Sequence, residues 1–162
     1  MTSLPRRTFI AGLAAGAALV ALPGQVVSAQ VLTRAIPKSG ERIPLIGMGS
    51  WITFNVGADA RLRGQRTEVL RTFFEIGGGM VDSSPMYGSS EAVIGHALEK
   101  LARPIGLFAA TKVWTPTQYL GVKQMQRSEE LWGLKKFDLM QVHNLLDWEA
   151  HLETLAEWKA AG

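Results

Sequence analysis

The chain has 162 residues, 47% of them hydrophobic and 19% charged, an ordinary globular composition that fits one domain and excludes wholesale disorder. The net charge of +3 falls to +1 over residues 30–162 (15 basic against 14 acidic), and no basic run is interleaved with aromatics, which argues against a nucleic-acid partner. The absence of Cys excludes disulfides, thiolate metal sites and a cysteine nucleophile.

The first segment reads as an address. Arg6 and Arg7 precede an uncharged, mostly apolar run from Phe9 to Leu22, broken by Pro23-Gly24, and Val27-Ser28-Ala29 offers small residues for cleavage. That is the order of regions in a signal peptide, and the run is shorter than the roughly 20 residues a membrane span needs. Arg6-Arg7-Thr8-Phe9-Ile10 resembles the bacterial twin-arginine signal, which a receptor reads. Residues 1–29 are therefore expected to be a signal peptide that takes the protein to the periplasm or outside the cell, with the export machinery as a partner. A general secretion signal or an uncleaved anchor is the alternative.

Residues 30–162 alternate strands and helices. Val31 to Pro44 holds two short apolar pieces around Lys38-Ser39-Gly40-Glu41, the pattern of a hairpin. Leu45 to Gly49 reads as a short buried strand ending in Ser50-Trp51. The spacing of Val69, Leu70, Phe73 and Phe74 predicts a helix over about 65–76, stopped by Gly77-Gly78-Gly79. Met80 and Val81 form the next strand, ending at Asp82. Ser89 or Ser90 is expected to cap a helix with Glu91 in its first turn, where the macrodipole favours an anion, and with Val93, Ile94, Ala97, Leu98 and Leu101 inward. A strand over Ile105–Thr111 ends at Lys112, and a polar helix covers about 118–132. A strand over Phe137–Val142 ends at His143, and a last helix starts near Trp148 with Leu152, Leu155 and Ala156. Four strands alternating with four helices imply an α/β fold with a parallel sheet.

Three of these strands finish at an ionisable residue: Asp82, Lys112 and His143. In a parallel barrel all strand C-termini lie on one face, where the active site sits. Residues distant in sequence then converge, and Tyr87, on the loop after Asp82, can fold back over them. A phenol is a weak acid near neutral pH; a buried ammonium beside it stabilises the phenolate, and Asp82 offsets the ammonium as its ion partner. This set suits reduction of a carbonyl: hydride arrives at carbon, charge builds on oxygen, and Tyr87 supplies the proton while His143 donates a hydrogen bond.

The residues carry a family resemblance. Asp82-x4-Tyr87-x3-Glu91-x3-Gly95 is similar to the signature of the aldo-keto reductases. Thr111-Lys112-Val113-Trp114 resembles that family's catalytic-lysine strand, and Asp138 to Asn144 its histidine strand. The hairpin followed by Gly47-Met48-Gly49-Ser50-Trp51 is also similar. The resemblance implies a (β/α)8 barrel preceded by a β-hairpin, with Asp82, Tyr87, Lys112 and His143 catalytic. It implies that Gly49, Ser50, Trp51, Asp82 and Asn144 lie at the cofactor, NADPH, and that Trp51 and Trp114 face a small carbonyl substrate. The residues that would read the 2′-phosphate are expected beyond Gly162, so NADH stays open.

Simpler readings stand beside these. Gly77-Gly78-Gly79 follows a helix and precedes a strand, the reverse of a phosphate loop. No metal is expected, since there is no Cys and no close pair of strand-end histidines. His96 and His151 read as surface or rim residues, and Trp132, Trp148 and Trp158 as packing residues. A barrel of this type needs roughly 250 residues, so the chain is expected to be the N-terminal half, about four β/α units, cut after the fourth helix and inactive alone. The open edges of a half-barrel invite self-association. The competing functions are a barrel enzyme that forms a Schiff base on Lys112 and a non-catalytic half-barrel module that binds or dimerises.

Overall fold

A computed structural model describes residues 31–162; the expected signal peptide over residues 1–29 lies outside the described residues. The first elements are β1 (Thr33–Ala35) and β2 (Arg42–Pro44), paired antiparallel with Thr33 opposite Pro44. Gly40 turns this hairpin at φ +74°, a conformation glycine adopts without cost.

The rest is a parallel sheet wrapped on one face by helices. Its strands are β3 (Met48–Gly49), β4 (Met80–Asp82), β5 (Phe108–Val113) and β6 (Leu139–Val142), and each lies beside its neighbour in sequence. Between and after them run α1 (Ala60–Glu75), α2 (Ser90–Lys100), α3 (Gln118–Trp132) and α4 (Trp148–Ala161), with a 3-10 turn over His143–Leu145. The register pairs Gly49 with Asp82, Asp82 with Ala110, and Lys112 with Gln141. The expected α/β fold, four β/α units of a barrel behind a hairpin, is the fold observed.

Side-chain alternation along the strands separates two faces. Val81 and Ala109 point to the helices and join Leu70, Val93, Ile94, Ala97, Leu98 and Trp132 in the core. Removing such an aliphatic side chain from water contributes about 1.5–3 kcal/mol. Asp82, Ala110 and Lys112 fall on the opposite face, so the same alternation that builds the core points the ionisable groups away from it.

Several expected details are corrected. Helix α1 begins five residues earlier than expected because the Asp59 carboxylate accepts the Leu62 amide at 2.8 Å. Its buried positions are Thr67 and Leu70, and Val69 is exposed. Ile105 is not in a strand: it sits at a turn between Pro104 and Gly106 (φ +85°) and is fully exposed. β5 consequently starts at Phe108 and continues through Val113, which places Lys112 next to last in the strand. Phe137 and Asp138 precede β6, because the Asp138 carboxylate and amide bond to Ala109 ahead of the ladder. In α4 the buried face is His151 and Thr154 while Leu152 is exposed, so His151 is no rim residue. Trp132 packs in the core, edge-on to Phe137, whereas Trp148 is exposed.

Candidate active site

The C-terminal ends of β4, β5 and β6 bring Asp82, Lys112 and His143 together. The Lys112 ammonium donates to Asp82 Oδ2 and to the Ser83 carbonyl, both at 2.7 Å. Asp82 and Lys112 are diagonal neighbours: Asp82 pairs with Ala110, and Lys112 is two residues further on the same face. An ammonium has three donors, and the nitrogen stands 5.2 Å from the centre of the Tyr87 ring. Tyr87 is half-buried, with its ring centre 6.5 Å from that of Trp51 and 6.2 Å from that of His143, which it meets edge-on.

Local chemistry explains how Tyr87 is held there. The loop 83–89 is tied back at several points. The Ser83 amide donates to the Ala110 carbonyl, and the Tyr87 amide to the Ser84 carbonyl. Ser90 Oγ donates to the Ser50 carbonyl at 3.3 Å, and Ser89 Oγ bonds Asn55 Oδ1 at 3.0 Å. Ser89 stands at the cap position of α2 but makes no side-chain cap bond. Glu91 lies in the first turn of α2, as expected. It is buried, and its carboxylate accepts from Thr111 (2.7 Å), Ser128 (3.0 Å) and Trp132 (3.2 Å), which ties α2 to β5 and α3. Burial pushes the Glu91 carboxyl above its ordinary value, against the opposing pull of these donors and of Lys112.

His143 is partly buried, with Nδ1 3.2 Å from Ser84 Oγ. Burial, and then the positive charge of Lys112, hold its pKa below the usual imidazole value, with Asp82 acting in the opposite sense. An imidazole in that setting stays neutral near pH 7 and offers one N–H.

The remaining expected residues are distributed unequally. Gly49 is exposed at the end of β3, with nothing within 4 Å of where a Cβ would lie. Trp51, Trp114 and Asn144 are exposed, Asn144 in the left-handed region at φ +55°. Ser50 is fully buried and donates to Ser83 Oγ at 2.8 Å, so its side chain supports the loop from beneath. Three polar groups at the site were not singled out from the sequence: Ser84 on His143, the Ser83 carbonyl on Lys112, and Gln141, whose amide is 3.4 Å from Asp82 Oδ1. Gln141 had a readable signal. It is a polar residue in an apolar strand, two positions before His143 and so on the same face. Among the described residues, no group of three His, Asp or Glu could hold a metal ion.

The family model for the aldo/keto reductase family matches residues 45–162. The chain belongs to the aldo/keto reductase family. Among curated proteins, methylglyoxal reductase YeaE of Escherichia coli (strain K12) is 27% identical over 103 residues, 62% of this chain and 35% of YeaE. Among solved structures, the thermostable aldo-keto reductase Tm1743, crystallised with the inhibitor epalrestat, superposes with a TM-score of 0.67 at 24% identity. That match covers 78% of this chain and 48% of Tm1743. An aldo-keto reductase from Klebsiella pneumoniae in complex with NADPH superposes with a TM-score of 0.61 at 21% identity, over 78% of this chain and 46% of that one. The chain thus spans about a third of the curated relative and just under half of these aldo-keto reductase structures.

Proposed function

We propose that this aldo-keto reductase chain belongs to an NADPH-dependent reductase of aldehydes or ketones, with Tyr87 as the proton donor. The observation that carries the reading is the Lys112 ammonium, 2.7 Å from Asp82 and 5.2 Å from the Tyr87 ring centre, with His143 edge-on to the same ring. The NADPH in the Klebsiella relative and the carbonyl substrate in the name of the E. coli relative support the same reading.

The residues present fit the nicotinamide end of such a cofactor. Gly49 leaves open space, Trp51 offers an exposed ring, and Asn144 an exposed amide. When bound, the cofactor supplies a hydride to the carbonyl carbon. Tyr87 gives its proton to the carbonyl oxygen, which completes the alcohol, and the Lys112 charge offsets the negative charge left on the phenol oxygen. In the tautomer whose Nδ1 accepts from Ser84 Oγ, 3.2 Å away, His143 keeps an Nε2–H for the substrate oxygen. A Schiff-base role for Lys112 would need a free amine, whereas this nitrogen donates to two acceptors.

The test is Tyr87→Phe, with NADPH oxidation followed over a panel of aldehydes and ketones. Turnover is expected to fall about 10²- to 10⁴-fold while NADPH binding persists. Undiminished turnover would remove Tyr87 from the role. A well-folded protein that oxidises no NADPH with any carbonyl would favour the non-catalytic reading.

Residues 1–29 are proposed to export the protein by the twin-arginine route. The Arg6-Arg7 pair ahead of an uncharged run supports this. Replacing both arginines with Lys should hold the protein in the cytoplasm.

A further inference from the structure

The loop that carries Trp114 and the loop that follows His143 are fastened to each other by groups that forgo their usual local partners. Asp147 stands at the N-cap of α4, where a carboxylate ordinarily accepts from its own helix. It makes no such bond. Instead it adopts the left-handed region at φ +48°, and its Oδ2 accepts the amide of Thr117 at 2.7 Å, across the gap between the loops. Thr117, also at positive φ (+65°), caps α3 by accepting from Leu120. One turn along α4, on the same face, His151 is fully buried and its Nε2 is 2.7 Å from the Thr115 carbonyl. Among the described residues its Nδ1 has no hydrogen-bond partner. Gly121 makes the room for the ring: a Cβ there would lie 2.4 Å from His151 Cε1. Gln124 holds Trp114 from the α3 side, bonding its amide at 2.6 Å and its carbonyl at 3.0 Å.

Strained backbone, a forgone cap and an unpaired buried nitrogen each lower stability. Their concentration in two loops beside the proposed pocket has a common outcome: Trp114 is held in a fixed relation to His143 and Asn144. We propose that Asp147 and His151 are positioning residues, a clasp that sets the width of the substrate pocket and so discriminates among carbonyl compounds by the bulk of their substituent. The substrate role rests on the reductase reading; the clasp does not.

The test uses Asp147→Gly, which removes the carboxylate while tolerating the positive φ, and Asp147→Asn, which restores an acceptor at the same place. Amide hydrogen exchange at Thr117 should quicken about tenfold in the glycine variant and return towards wild type in the asparagine variant, with β5 amides unchanged. In turnover, KM for an aldehyde with a bulky aromatic substituent should rise about fivefold, with kcat and the KM for a small aliphatic aldehyde held within about twofold. Unchanged exchange at Thr117 would overturn the clasp. Equal KM shifts for both aldehydes would overturn its role in discrimination. If the wild type turns over no carbonyl compound, the substrate role falls with the reductase reading, and the exchange at Thr117 alone decides the clasp.

Discussion

Lys112 and Asp82 form an ion pair at 2.7 Å in which the lysine side chain is 12% exposed and the aspartate 31%. Such a pair is costly to break from one side, because the surviving charge keeps its desolvation penalty without its partner. Asp82→Ala should destabilise the fold by about 1–3 kcal/mol, between the values for exposed and for fully buried pairs, because solvent still reaches Asp82. Adding Lys112→Met should recover most of the loss. Urea unfolding of the two single variants and the double variant measures this directly.

His143 responds to the same pair. Removing the positive charge with Lys112→Met should move its titration midpoint up, and removing the negative charge with Asp82→Asn should move it down, read from the imidazole resonances by NMR. The sign carries over to stability. The folded-state pKa is lowered, so the unfolded chain takes up this proton first as pH falls below about 6.5. The His143 contribution is therefore intact above that pH and is lost on descending towards the lowered value.

Glu91 behaves oppositely. Its folded-state pKa is raised, so the folded state holds the proton to higher pH, and stability falls as pH rises from the ordinary value of 4.5 through the raised one. Glu91→Gln should abolish that part of the pH dependence while keeping an acceptor for Thr111 and Trp132. Glu91→Leu strands three buried donors and should cost about 3 kcal/mol or more. Denaturation at a series of pH values separates the two variants.

Gly95 marks a close approach of α2 to α3. A Cβ there would lie 1.8 Å from the Leu131 carbonyl oxygen, a backbone atom that cannot turn aside. Gly95→Ala should cost about 3 kcal/mol or more, whereas Gly49→Ala, with open space around it, should change stability by no more than about 0.5 kcal/mol. Thermal melts of the two variants give the contrast.

The repeating elements and the strand-end quartet were legible because both follow from short-range pattern. Alternation placed Asp82 and Lys112 on the face away from Val81 and Ala109, and the β/α rhythm aligned the strand ends. The features missed depend on contacts between segments distant in sequence. Nothing near Glu91 reveals that Ser128 and Trp132, some forty residues on, turn a first-turn acid into a buried link. Nothing near His151 reveals that Gly121 leaves space for its ring. Ile105 looks like a strand residue, and only the turn at Gly106 excludes it from β5. Ser84 carries no signal of its own, because a serine in a Ser/Pro/Gly loop has an adequate local explanation; its bond to His143 spans 59 positions.

The order of the sheet bears on how the quartet is made. Each parallel strand lies beside the one synthesised just before it, so a ribosome delivers every strand to an edge that already exists, and loop closure never spans more than one β/α unit. Asp82 and Tyr87 emerge first, Lys112 next and His143 last, so the constellation can accrete in the order of translation. Each newly arriving charge or ring meets its partner already standing at the rim.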